Sequence, residues 1–78
     1  MASFGERLKE LRTNRQITQK EFANIIGINE RSYQNYEINA STPNYKLLIF
    51  IADFYNVSLD YLTGRSDNPE INKENYDK

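Results

Sequence analysis

The 78-residue sequence has no cysteine, no histidine, only three glycines and only two prolines. Without cysteine there is no disulfide staple, thiolate zinc site or thiol nucleophile. Without histidine there is no imidazole for acid–base work near neutral pH. The missing cysteine fits a reducing cytoplasm, where the chain is expected to act, although secreted proteins also do without it. No apolar run approaches the roughly 20 residues of a membrane span, and the opening MASFGERLKE is charged too early for a signal peptide. Glycine-rich phosphate loops, metal-ligand clusters and paired carboxylates are absent from the pattern. An enzyme is therefore the weakest reading, and no cofactor or metal is expected.

Positive charge is also scarce, with a formal net charge of −1. It is unevenly spread. Residues 1–65 carry eight lysines and arginines against seven acids, while residues 66–78 carry two against four. The acidity sits in the tail, and that division suggests one small domain over 1–65 followed by an acidic polar tail over 66–78. The tail holds a single aliphatic residue, Ile71, and reads as a flexible extension or one that orders only against a partner.

What the sequence does contain is a succession of helix starts. Ser3 with Glu6, and Thr18 with Glu21, match the S/T-x-x-E capping box ahead of apolar residues at helical spacing. Asn29 is a good N-cap for a third helix, and Thr42 with Pro43 reads as the cap and first residue of a fourth. Ser58 starts a short fifth helix that stops at Gly64. No alternating run is long enough for a strand, so the fold class is all-α with five helices.

Gly27 breaks the helical spacing, which resumes after only three residues, Ile28, Asn29 and Glu30. Glycine suits the left-handed end of a helix, Ile28 drops back towards the core, and Ala23 permits close approach. Two helices joined by so short a turn form a helix-turn-helix, made by the second and third helices. On the third helix, over about residues 29–38, a 100° step turns Tyr33 and Tyr36 inward. It turns Glu30, Arg31, Gln34, Asn35 and Ile38 outward. Such a polar strip matches base edges in the major groove: arginine with guanine, glutamine or asparagine with adenine, glutamate with cytosine.

From Gln19, the order Gln, Ala23, Gly27, Ile28, Tyr33, Glu37 resembles the helix-turn-helix of the phage-repressor and Cro-like DNA-binding family. The resemblance extends over roughly residues 3–65, through LRTNRQITQKEFA, the Tyr36–Glu37 pair, the Pro43 start and FYNVSLDYLTGRS. It departs at Tyr33, where the family has an aliphatic core residue, and at Asn39, where glycine is common. The resemblance implies a five-helix repressor-like fold and base contacts from Asn29, Glu30, Arg31, Gln34 and Asn35. It also implies that Gln19 binds phosphate at the start of its helix. Lys20, Arg15, Asn39, Ser41, Thr42, Asn44 and Lys46 are expected around the same edge as further DNA backbone contacts, with Arg15 and Lys46 equally readable as solubilising charges. Arg12 and Glu37 match a family ion pair that locks the reading helix, with Arg12 also near a phosphate.

The function so implied is a sequence-specific regulator of transcription, most simply a repressor. It would bind double-stranded DNA at a palindromic operator as a homodimer, with no role at a membrane. The dimer surface is expected on the fifth helix with Tyr55, Tyr61, Leu62 and the tail from Arg65. The alternative is a protein-interaction module of the antitoxin or anti-repressor type, in which the same fold and the tail engage a protein.

Overall fold

The computed structural model describes residues 2–71. Five helices account for its regular structure: α1 (Phe4–Asn14), α2 (Gln19–Ile26), α3 (Glu30–Glu37), α4 (Tyr45–Tyr55) and α5 (Leu59–Leu62). No strand occurs among the described residues, so the all-α expectation holds. Both capping boxes form. The Ser3 hydroxyl accepts from the Glu6 N–H at 3.2 Å while the Glu6 carboxylate accepts from the Ser3 N–H at 3.0 Å. Thr18 and Glu21 repeat the exchange at 3.0 and 2.9 Å. Each cap satisfies amide donors that a helix start otherwise leaves open, and is worth about 1 kcal/mol.

The fourth helix starts two residues later than its sequence suggests. Asn44, not Thr42, is the N-cap: its side-chain oxygen accepts from the Leu47 N–H at 2.9 Å. Pro43 is buried ahead of the cap and is not the first helical residue. Asparagine is at least as good a cap as threonine, and here the two compete across three residues.

All five helices end in the same way. A left-handed residue follows each: Gln16, Gly27, Asn39, Asn56 and Gly64, with φ between 55° and 84°. At every one the left-handed N–H and the next N–H reach back to carbonyls of the last turn. Asn56 to Asp53 at 3.1 Å and Val57 to Ala52 at 3.0 Å are typical. This double bond pattern satisfies carbonyls that would otherwise be orphaned, and after α1, α2 and α4 it turns the following apolar residue, Ile17, Ile28 or Val57, towards the core. Val57 is buried in consequence.

Phe22 lies at the centre of that core. Its ring meets Tyr33 edge-on at 5.4 Å and lies against Phe54 at 5.3 Å and Tyr55 at 5.2 Å. Leu8, Tyr33, Ile51 and Leu62 are fully buried around it. Helices α1 and α2 both pack on α3, α4 packs on α2, and α5 closes against α1 and α4. Helix α3 is therefore held by the two elements that precede it in the chain.

The tail does not leave the domain at residue 66. The Arg65 and Ser66 N–H groups both donate to the Asp60 carbonyl, which turns the chain back. The Ser58 N–H then donates to the Pro69 carbonyl at 3.0 Å, and Arg7 Nη2 donates to Asp67 at 3.0 Å. Ile71 joins Tyr45, Ile49 and Val57 in lining a shallow cleft. Residues 66–71 thus lie against the domain; the rest of the expected tail, 72–78, lies outside the described residues. The expected dimer surface is corrected. Tyr55 and Leu62 are buried in the core, and the Arg7 guanidinium covers the Tyr61 ring at 3.9 Å.

Candidate nucleic-acid interface

The corner between α2 and α3 is built from local bonds. Gly27, at φ 79°, donates to the Asn24 carbonyl at 3.2 Å, and Ile28 donates to the Ala23 carbonyl at 3.0 Å. Asn29 then caps α3, accepting from the Ser32 N–H at 2.8 Å. The helix that follows has two unlike sides. Tyr33 and Glu37 are buried, Tyr36, Gln34 and Asn35 are half-buried, and Asn29, Glu30, Arg31 and Ile38 are exposed. The Arg31 side chain has no hydrogen-bond or ion-pair partner among the described residues. An exposed guanidinium of this kind keeps its donor fork for a ligand.

Beneath this face lies a buried polar cluster centred on the Glu37 carboxylate. Arg12 Nε donates to Glu37 Oε2 at 2.6 Å and Arg12 Nη2 donates to Oε1 at 3.2 Å. The Tyr33 hydroxyl also donates to Oε2, and Gln19 Nε2 donates to Oε1 at 3.1 Å. Burial drives the Glu37 pKa up, but the bonds from Arg12, Tyr33 and Gln19 outweigh it and hold the carboxyl below its ordinary 4.5. The Glu37 bond in turn raises Arg12, and burial followed by the Glu37 bond pushes the Tyr33 phenol well above 10.0. At neutral pH the cluster therefore holds an ionised carboxylate with every lone pair engaged.

Several expected DNA contacts are committed elsewhere. Arg12 is buried, and its remaining nitrogen donates to the Ile17 carbonyl at 2.7 Å, so its head points into the protein and not at a phosphate. The pairing with Glu37 is the role that remains. Arg15 lies over Phe54 and Tyr55 and donates to the Phe54 carbonyl at 3.1 Å, at the C-terminal end of α4. There it complements the negative helix end. It is one helix length from Lys46, and the two do not share an edge as expected. Asn39, although exposed, is also engaged: its side-chain oxygen accepts from the Gly5 N–H at 2.9 Å and its amide donates to Ser3 at 3.1 Å. These bonds close the start of α1.

The other expected contacts remain at the surface. Lys20, Ser41, Thr42 and Lys46 are exposed, and Asn44 is exposed with its oxygen occupied as a cap. Asn44 and Lys46 line a shallow cleft with Ile25, Ile26, Leu47 and Phe50, near the end of α2 remote from Gln19. Gln19 is joined instead to α3, its oxygen accepting from Gln34 Nε2 at 3.2 Å. Gln34 Nε2 also donates to Glu30 at 3.3 Å.

Two contributors were not among the expected site residues. The Tyr33 departure from an aliphatic residue places a phenol on Glu37, a partner four positions away on the same helix and therefore findable by i,i+4 spacing. Gly5 sits in α1, where glycine is unfavourable, and only its contact with the end of α3 explains it.

The family model described as a helix-turn-helix domain matches residues 5–65. Among curated proteins, the chain is similar to the uncharacterized HTH-type transcriptional regulator YqaE of Bacillus subtilis, 38% identical over 68 residues. That match covers 87% of this chain and 59% of YqaE. It is also similar to the HTH-type transcriptional regulator ImmR of B. subtilis, 40% identical over 73 residues, covering 94% of this chain and 55% of ImmR. The chain thus spans less than two-thirds of the length of either relative. Among solved structures, it superposes on the P22 c2 repressor in complex with a synthetic operator, with a TM-score of 0.76 and 23% identity. That likeness, which is one of fold, covers 85% of this chain and all of the repressor chain.

Proposed function

The chain belongs to the helix-turn-helix domain family, and on that premise we propose that it is a sequence-specific double-stranded DNA-binding regulator of transcription that acts in the cytoplasm as a repressor. In this reading α3 enters the major groove and Asn29, Glu30, Arg31, Gln34 and Asn35 meet base edges. Gln19, through the N–H at the start of α2, and Lys20, Ser41, Thr42, Asn44 and Lys46 meet the sugar–phosphate backbone. Repression follows from occupancy of an operator, with no catalytic step. The names of the relatives, regulators of transcription, point the same way.

The observation that carries the reading is the contrast across α3. Arg31 stands exposed and unpaired among the described residues, while Glu37, one and a half turns on, is buried and locked to α1 by Arg12. A polar strip on a rigidly seated helix is what base recognition needs. One helix reads few base pairs, so two copies on a palindrome, with half-sites roughly 34 Å apart, complete the site. The protein-interaction alternative drew on a tail free from residue 66 to enter a partner. Residues 66–71 are instead bonded to Ser58 and Arg7 of the same chain.

Selection of bound duplexes from a random pool tests the reading. Enrichment of a palindrome whose binding weakens with salt supports it. With Lys20 and Lys46 as the exposed cations set against the backbone, two copies neutralise about four phosphates and give a log–log salt slope of about −4. No enrichment, even at low salt, ends it.

A further inference from the structure

A hydrogen-bond relay runs from the protein interior to the reading face and determines which way its amides point. The Glu37 carboxylate can only accept, and it already accepts from Arg12 and Tyr33. Gln19 must therefore turn its NH2 towards Glu37, where Nε2 lies 3.1 Å from Oε1. That choice turns the Gln19 oxygen towards Gln34, which must answer with its own NH2, 3.2 Å away. The second hydrogen of the same NH2 is taken by another acceptor-only group, the Glu30 carboxylate at 3.3 Å. Both donors of Gln34 are spent within the protein. Its oxygen is the one polar atom of that side chain left without a partner among the described residues.

Resting on the DNA-reading proposal above, we propose that Glu37, acting through Gln19, makes Gln34 a pure hydrogen-bond acceptor that selects amino-bearing bases, adenine or cytosine, in the major groove. A free glutamine presents a donor and an acceptor side by side and matches adenine bidentately. A glutamine held in this way presents an acceptor alone. It accepts from adenine N6 or cytosine N4 and faces repulsion from guanine O6 or thymine O4. The relay is a chain of four side chains from α2 and α3, Glu37, Gln19, Gln34 and Glu30, so Gln19 is a positioning residue and Gln34 the reader. Discrimination at the contacted base is set at about five- to tenfold, the lower end of what a good base contact supplies.

The test compares motifs enriched from a random duplex pool by the full chain and by three variants, each checked for folding by thermal melting. Gln34→Ala identifies the position, because the wild-type preference for adenine or cytosine disappears there. Gln34→Glu, an acceptor only, binds more weakly but keeps that preference. Gln19→Met keeps the side-chain length and removes one of the two acceptors that hold the Gln34 NH2, leaving only the exposed 3.3 Å bond to Glu30, so guanine and thymine rise about fivefold at that position alone. Gln34→Glu has the same meaning should Gln19→Met fail to fold: a shift towards guanine or thymine overturns the inference. A motif unchanged at every position by Gln34→Ala, or by folded Gln19→Met, also overturns it and leaves the DNA-reading proposal standing. A wild type that enriches nothing overturns both.

Discussion

Gly5 of α1 lies so close to the Glu37 carbonyl that a Cβ at position 5 would stand 2.3 Å from that oxygen. The same glycine donates its N–H to Asn39, so the positive start of α1 is docked on the negative end of α3. Two effects oppose each other in Gly5→Ala. Helix propensity favours alanine by about 1 kcal/mol, while overpacking against backbone, which cannot swing aside, costs about 1–3 kcal/mol. The contact distance decides for the second. Gly5→Ala should lower the melting temperature, whereas a solvent-facing glycine in a helix would show a rise.

The Arg12–Glu37 pair is buried on both sides, and its removal should be asymmetric. Arg12→Leu leaves a carboxylate without its cation and should cost about 3–5 kcal/mol in urea denaturation. The double variant Arg12→Leu with Glu37→Leu removes the stranded charge as well and should be more stable than the single one. Equal losses in the two would mean that water reaches the site and shields the carboxylate.

Acid should expose the same carboxylate. Burial raises Glu37, but its three hydrogen-bond donors bring the folded pKa below 4.5. Above 4.5 both folded and unfolded chains hold the charge, and the stabilisation is present in full. As pH falls below that value the unfolded chain binds a proton first, so stability declines until the folded carboxyl is titrated too. Glu6 and Glu21, lowered by their capping bonds, act in the same sense. The urea midpoint should therefore fall between pH 6 and pH 3. The slope should be shallower in Glu37→Gln.

Features set within a few residues were legible in the sequence. The Ser3–Glu6 and Thr18–Glu21 boxes, the Gly27 corner and the Asn29 cap each depend on neighbours three or four positions away. Even there competition can mislead, as at Thr42, Pro43 and Asn44, where a second good cap two residues later prevails. Side-chain partners far along the chain were not legible. Nothing at Asn39 announces Gly5, and nothing at Arg15 announces the Phe54 carbonyl, because those meetings arise only once the helices pack. Charge and amide groups read as a DNA-facing edge were in part needed to close helix ends inside the domain. Nor does composition announce the two bonds, from Arg7 to Asp67 and from Ser58 to Pro69, that hold residues 66–71 against the domain.

The shared left-handed helix ends give opposite expectations at two sites. Gln16 is exposed with φ 58°, a conformation that strains any residue with a Cβ, so Gln16→Gly should stabilise by about 0.5–1 kcal/mol. Gly27 has φ 79° and open space around the missing Cβ, so substitution there meets backbone strain alone. Gly27→Val should cost about 1–3 kcal/mol while leaving base preference intact in whatever fraction stays folded. Melting curves of the two variants should move in opposite directions.

Arg31 separates recognition from stability. Its side chain is exposed and makes no hydrogen bond or ion pair among the described residues, so Arg31→Ala should leave the unfolding free energy within about 0.5 kcal/mol of unchanged. On an enriched operator the same change should cost about 1–3 kcal/mol per half-site and relax the preference at one base pair. Lys20→Ala is the control, since a phosphate contact weakens all duplexes alike and lowers the salt slope by about one per copy. If Arg31→Ala behaves like Lys20→Ala, the arginine touches phosphate, and the base-reading edge of α3 lies towards Glu30 and Gln34. If instead Arg31→Ala lowers stability without altering binding, the exposed strip of α3 is not the surface that meets DNA.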